Sequence, residues 1–250
     1  MTDICVITPI TTKDFRDDAQ LNGATPDNCN VTTITLERGP ASVESAVDEV
    51  LAAPGVVDAA CRAQADGFDA IVIDCMLDPA LEAAREAVTI PVVGSGEAGL
   101  KAAAEFGDYS VVTVLQRQEA AFQRLARQYG THEKLRSVHG IGVSVLDLER
   151  ARDSSIEATI RGAKVVRDRD GAKAIVFGCT GMLGYADPTA KALGWPANRV
   201  IDPLVNAIET AFLAANAGEK TDKNDHPYPD RKRVVGFEKW SALCELVSAR

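Results

Sequence analysis

Asp66-Gly67-Phe68-Asp69-Ala70-Ile71-Val72-Ile73-Asp74-Cys75 and Asp170-Gly171-Ala172-Lys173-Ala174-Ile175-Val176-Phe177-Gly178-Cys179 follow one pattern. Each begins with an acidic residue and a glycine, runs through four apolar residues, and ends on cysteine. Short continuous apolar runs suit strands covered on both faces. A second echo keeps nearly the same spacing: Asp3-Ile4-Cys5-Val6-Ile7-Thr8 against Asp108-Tyr109-Ser110-Val111-Val112-Thr113. Two like-sized βαβ lobes explain both echoes economically. The competing explanation is chance, since α/β chains reuse such strings.

Outward from these blocks the same alternation continues. Ile90-Pro91-Val92-Val93 and Ser110 to Val114 read as further strands. Helix-length stretches lie between: Ser42 to Leu51, Pro79 to Ala87, Glu97 to Glu105, Glu119 to Tyr129, Ile156 to Arg169 and Asn206 to Ala215. In the last, Ile208, Ala211, Phe212 and Ala215 recur at helical spacing. The pattern predicts an α/β fold of two pseudo-symmetric lobes, each an open, mostly parallel sheet flanked by helices. The expected division is 1–103 with 206–250 as the first lobe and 104–205 as the second.

Ligands of open α/β sheets gather beyond the carboxyl ends of the strands. If both lobes turn that edge to a shared cleft, Cys75 and Cys179 face one another across it. A lone cysteine at a strand end is usually a small core residue. Cys5, Cys61 and Cys244 take that reading, and Cys29 reads as a loop residue. Cys75 and Cys179 differ because the chain after each can bend toward a ligand. Pro79 marks a helix opening after Cys75, and Gly178 and Gly181 bracket Cys179-Thr180.

A mirrored thiol pair with no histidine nearby suits proton transfer at a carbon acid. One thiolate removes a proton from one face, and the opposite thiol donates to the other. The enolate formed needs donors at its oxygen. Backbone amides after each cysteine, with the hydroxyls of Thr180, Thr11 and Thr12, are candidates.

Composition bounds the alternatives. The chain has 250 residues, 46% of them hydrophobic, which excludes a disordered chain. A net charge of -9 disfavours a nucleic-acid surface. The Asp230-Arg231-Lys232-Arg233 cluster reads as a solvated turn or a partner contact within an oligomer. No apolar run is long enough for a membrane span, and the N-terminus lacks secretory features. A cytoplasmic location with no membrane partner is therefore expected. Six cysteines without a C-x-x-C pair suggest neither a disulfide scaffold nor a zinc site. No metal is expected.

Four segments carry a family likeness. They are Asp74-Cys75-Met76-Leu77-Asp78-Pro79-Ala80-Leu81-Glu82-Ala83-Ala84-Arg85-Glu86, Val92-Val93-Gly94-Ser95-Gly96-Glu97-Ala98, the second cysteine block through Met182, and Val200-Ile201-Asp202-Pro203-Leu204-Val205-Asn206-Ala207. From Ile4 to Ala215 the chain resembles the aspartate/glutamate/hydantoin racemase superfamily, and its hydantoin and allantoin racemase branch most closely. The resemblance implies two α/β lobes, no cofactor, a small-molecule substrate and a homo-oligomer. It implies Cys75 and Cys179 as the acid/base pair. It also implies a substrate cleft drawing on Thr8, Ile10, Thr11, Thr12, Met76, Ser95, Gly96, Glu97, Thr180 and Gly181.

Two departures bear on substrate. The branch usually carries Asn-Pro-Asn after its first strand, where this chain has Thr8-Pro9-Ile10-Thr11-Thr12. Ile10 can neither donate nor accept through its side chain. Amino-acid racemases of the superfamily favour Asn-Thr after the first cysteine, where Met76-Leu77 stand here. The expected function is racemisation of a hydantoin-like or related carbon acid. Alternatives on the same fold are decarboxylation of a malonate-like acid and cis–trans isomerisation of an unsaturated diacid. A strongly cationic clamp for two carboxylates is not visible near either cysteine. A non-catalytic protein that binds a small metabolite is the alternative of another class. The tail from Gly218, with Val234 to Trp240 and a short helix through Leu246, reads as an extension packed on its own lobe or a neighbour. The functional alternative has Tyr228 or Trp240 reaching another subunit's cleft.

Overall fold

The computed structural model describes residues 1–13 and 15–247. Residues 248–250, assigned above to the first lobe, lie outside the described residues. The first half of the chain runs β1 (Thr2–Thr8), β2 (Cys29–Thr35), α1 (Ala46–Ala65), β3 (Ala70–Ile73), α2 (Leu81–Ala87), β4 (Val92–Gly94) and α3 (Ser95–Glu105). The second runs β5 (Tyr109–Thr113), α4 (Glu119–Gln128), β6 (Leu135–Gly140), α5 (Asp147–Arg150), α6 (Arg152–Asp168), β7 (Ala174–Phe177), α7 (Ala186–Leu193) and β8 (Val200–Ile201). α8 (Pro203–Asn216) and α9 (Ser241–Val247) close it.

The strands form two four-stranded sheets, ordered β2-β1-β3-β4 and β6-β5-β7-β8, with every pairing parallel. The second sheet repeats the strand order of the first. Ile7 pairs with Ile73 at the end of one central strand pair, and Val112 with Phe177 at the end of the other. Two pseudo-symmetric α/β lobes result, as the echoes predicted.

Alternation along the central strands explains why both sheet faces are covered. Cys5, Ile7, Ile71 and Ile73 join a core with α1 and α2, while Ile4, Val6, Ala70 and Val72 join one with α8. In the second sheet Ile175 and Phe177 pack with α6 and α7. Val111 and Val176 pack with α3 and α4. Helix α3 thus belongs to both lobes. Gly99 lets it lie close, since a Cβ there would stand 3.1 Å from Val176 and from Pro203.

Five elements depart from the expected pattern, two of them the helices α5 and α7, for which no helical stretch was expected. β2 and β6 were not anticipated, because as edge strands they are only half-buried and carry polar residues such as Thr32, Thr33 and Arg136. Cys29 accordingly opens β2 and is not a loop residue. Helix α1 does not stop at Leu51 but continues through Pro54 and Gly55 to Ala65. Those two residues cost a helix about 4 kcal/mol relative to alanine. Burying Val56 and Val57 against the sheet returns roughly 3–6 kcal/mol. Pro54 also removes only the bond to Val50, which is exposed.

The extension after α8 packs on its own lobe. Lys223 Nζ caps the last turn of α2 at the carbonyls of Arg85 and Glu86, 2.7 and 3.0 Å away. The Leu243 amide donates to buried Asp58 at 2.9 Å, seating α9 on α1. Trp240 lines a hollow with α1 and the end of β2, in the first lobe itself. Among the described residues no helix is long and apolar enough to cross a membrane.

Candidate active site

Each of the two cysteines lies two residues beyond the last paired residue of its central strand, Ile73 or Phe177. The equivalent strand ends open on one cavity between the lobes. It is lined by Thr8, Pro9, Ile10, Phe15, Val43, Asp74, Cys75, Met76, Leu77, Gln118, Val145, Gly178, Cys179 and Thr180. Its volume is about 30 Å³, a tenth of the ~300 Å³ at the lower end of small-ligand pockets. The cleft is narrow but not enclosed, and a ring needs more room than this conformation gives.

The turn after β3 shapes the Cys75 side. The Cys75 amide donates to the Ile73 carbonyl and the Asp78 amide to the Cys75 carbonyl, both at 3.0 Å. The backbone passes through the left-handed region at Asp78 (φ 47°) and Ala80 (φ 58°). Asp78 tolerates this conformation better than alanine does. Its buried carboxylate also caps α3, accepting from the amides of Gly96 and Glu97 at 2.8 and 2.7 Å. Tyr129, at the end of α4 in the other lobe, donates to it at 2.7 Å. Burial pushes the Asp78 carboxyl up to about 7 despite these three donors.

On the Cys179 side the backbone is extended at the cysteine and turns at Thr180–Met182. The Gly181 amide points at Cys179 Sγ, 3.4 Å away. A Cβ on Gly181 would stand 3.4 Å from that sulfur and 3.1 Å from Leu148, so glycine keeps this flank open. Gln118, from the turn after β5, accepts from Thr113 Oγ1 at 2.7 Å.

Desolvation governs both thiols. Burial pushes Cys179 up to about 12, against the lowering effect of the Gly181 amide. Burial raises Cys75 well above an ordinary thiol, against the Leu77 amide, and the Cys179 sulfur raises it further. A charge on one sulfur therefore opposes a charge on the other. The pair favours at most one thiolate at a time.

The structure brings Thr8, Ile10, Met76 and Thr180 to the cavity with the two cysteines. The other expected contacts are engaged elsewhere. Thr11 and Thr12 hydroxyls donate to the carbonyls of Pro40 and Ala41. Ser95 donates to the Ile73 carbonyl at 2.7 Å, and the Gly96 and Glu97 amides serve Asp78. The Glu97 side chain pairs with Arg85 and Lys101. Gly181 meets the cleft through its amide at the sulfur. Among the described residues no group of three or more His, Cys, Asp and Glu side chains is placed to hold a metal.

The sequence reading missed the apolar walls Phe15, Val43 and Val145 and two polar residues, Gln118 and Arg16. Gln118 had no motif to announce it. Arg16 lies in a loop without periodicity, yet its side chain is 1% exposed and its Nη1 and Nη2 lie 2.9 and 2.8 Å from Asp74. A cation therefore stands beside the cysteines where none was visible, already paired with an internal carboxylate.

The chain and its fold have known counterparts. A family model described as Asp/Glu/Hydantoin racemase matches residues 4–211. A hydantoin racemase of Pseudomonas sp. (strain NS671) is 36% identical over 215 residues, covering 85% of this chain and 85% of that protein. Allantoin racemase from Klebsiella pneumoniae superposes with a TM-score of 0.90 at 30% identity, covering 96% of this chain and 99% of that one. Allantoin racemase from Pseudomonas fluorescens gives a TM-score of 0.86 at 29% identity, over 94% and 100% of the two chains.

Proposed function

The chain belongs to the Asp/Glu/hydantoin racemase family, and on that premise we propose that it interconverts the enantiomers of 5-substituted hydantoins bearing an apolar substituent. It is a racemase of the hydantoin racemase type that works without a cofactor. The observation that carries the reading is the placement of Cys75 and Cys179 at equivalent strand ends on one shared cavity.

In the proposed reaction one sulfur, as thiolate, takes the proton from C5 of the ring. The bonding pair moves into the adjacent carbonyl, giving an enolate. The opposite thiol returns a proton to the other face as the carbonyl re-forms. The acceptor sulfur ends as a thiol and the donor as a thiolate, the state that serves the opposite enantiomer. The Gly181 amide and the Gln118 side-chain amide are proposed to stabilise charge at the sulfur and at the ring oxygen.

Substrate shape is read from the walls. Ile10, Phe15, Val43, Met76, Leu77 and Val145 make the cavity largely apolar. An apolar substituent gains about 0.8 kcal/mol for each buried methylene. The ureido group of allantoin, lacking a matching set of partners, would be buried at a cost. With 5-isobutylhydantoin, 5-benzylhydantoin and allantoin followed by loss of optical rotation, kcat/KM is expected to be at least about tenfold higher for the apolar pair. Preference for allantoin would overturn the substrate assignment. No loss of rotation with any of the three, above the uncatalysed rate, would remove the hydantoin reading.

A further inference from the structure

Asp74 immediately precedes Cys75, and Thr180 immediately follows Cys179. One side chain touches both. Arg16 Nη1 donates to Asp74 Oδ1 at 2.9 Å and to the Thr180 carbonyl at 3.3 Å, while Nη2 lies 2.8 Å from Asp74 Oδ2. The Thr180 hydroxyl returns across the cleft to the Asp74 carbonyl at 3.3 Å. Thr8 Oγ1 completes the carboxylate's shell at 2.7 Å. Arg16 also pairs with Asp18 at 2.6 Å and lies over the ring of Phe15, a wall of the cavity. Both side chains of the pair are 1% exposed or less.

The pseudo-symmetry shows that the fold itself does not require this pair. In the second lobe the residue before the cysteine is Gly178, where a Cβ would overlap Thr113. There the strand-end hydroxyl is satisfied by Gln118. The same turn is thus built once with a buried ion pair and once without. Buried ion pairs are weak contributors to stability compared with apolar packing, and their best-attested role is specifying an arrangement.

We propose that the Arg16–Asp74 pair is a positioning element of the cleft: it fastens the Cys75 turn to the Cys179 turn and sets one charge of each sign beside Cys179. The proposal rests on the two-thiol reading above. The titratable and charged groups acting on Cys179 are Asp74, Arg16, Glu44, Cys75 and Tyr185. Of the ion pair, Asp74 opposes the thiolate and Arg16 favours it. Removing one member therefore has the opposite sign from removing the other. A purely structural tether would give the same sign for both.

The test labels Cys179 of the intact chain with iodoacetamide between pH 6.5 and 10 and quantifies the modified peptide by mass. Asp74→Asn keeps the size, removes the negative charge and retains the pairing of Arg16 with Asp18. Its profile is expected to shift down by about one pH unit, with labelling about tenfold faster at pH 8. Arg16→Met is expected to shift the profile upward. Arg16→Lys keeps the charge but loses the geometry by which Nη1 bonds both Asp74 and the Thr180 carbonyl. Its profile should stay near the wild type, while kcat falls about ten- to a hundredfold with little change in KM. Circular dichroism checks folding. If Arg16→Met does not fold, Asp74→Asn and Arg16→Lys decide the matter. An unchanged or upward shift in Asp74→Asn, or equal kcat in Arg16→Lys and the wild type, overturns the proposal. Labelling needs no turnover, so a wild type without racemase activity would sink the two-thiol reading and leave the charge effect measurable.

Discussion

Replacing either Cys75 or Cys179 with serine is expected to lower kcat/KM for racemisation at least about a thousandfold, within the range assigned to positioned acid–base groups. The two losses should be similar in size, because each turnover needs a proton taken on one face and another given on the opposite face. A serine hydroxyl fills the site but does not ionise in the working range. Each variant nevertheless keeps one sulfur, and hence a base for one enantiomer. Cys75→Ser and Cys179→Ser should therefore exchange the C5 proton of opposite enantiomers slowly, without inverting them. Chiral chromatography measures inversion and proton NMR in deuterated water measures exchange. A serine variant that still inverts at near the wild-type rate would remove that sulfur from the reaction.

Between pH 7 and pH 9 the wild-type kcat/KM is expected to rise about a hundredfold, ten for each unit. The direction follows from the burial of both thiols, which places Cys179 at about 12 and Cys75 well above an ordinary cysteine. Below the lower of the two values, the reactive singly ionised fraction grows tenfold per unit. Because each sulfur opposes ionisation of the other, a descending limb from double ionisation should lie above this range. Initial rates corrected for uncatalysed racemisation give the profile. A rate that levels off near pH 7 would mean that the working cleft relieves the desolvation of the thiols seen in this conformation.

The sequence made the centre of the molecule legible and its margins less so. Central strands β1, β3, β5 and β7 are buried on both faces, so they must be short, largely apolar runs, and those of β3 and β7 lead to the two cysteines. Edge strands answer to weaker constraints. β2 exposes part of Asn30, Thr32 and their neighbours and so carries no continuous run. The Pro54–Gly55 pair predicts a helix end, and tertiary burial overrides it. Glycine near a helix start signals close backbone approach without saying what approaches. At Gly96 the Met76 carbonyl and the Asp78 carboxylate do, since both would meet an added Cβ. Arg16 shows a different limit. Its partner is 58 residues away, and nothing local distinguishes an arginine that will be buried from one that will be solvated.

Racemisation followed from a single enantiomer in deuterated water tests the two-sided transfer most directly. At early times the inverted product should carry deuterium at C5 while the remaining starting enantiomer keeps its protium, whichever enantiomer is supplied. Equal deuterium in both would contradict opposed sulfurs and indicate one base serving both faces.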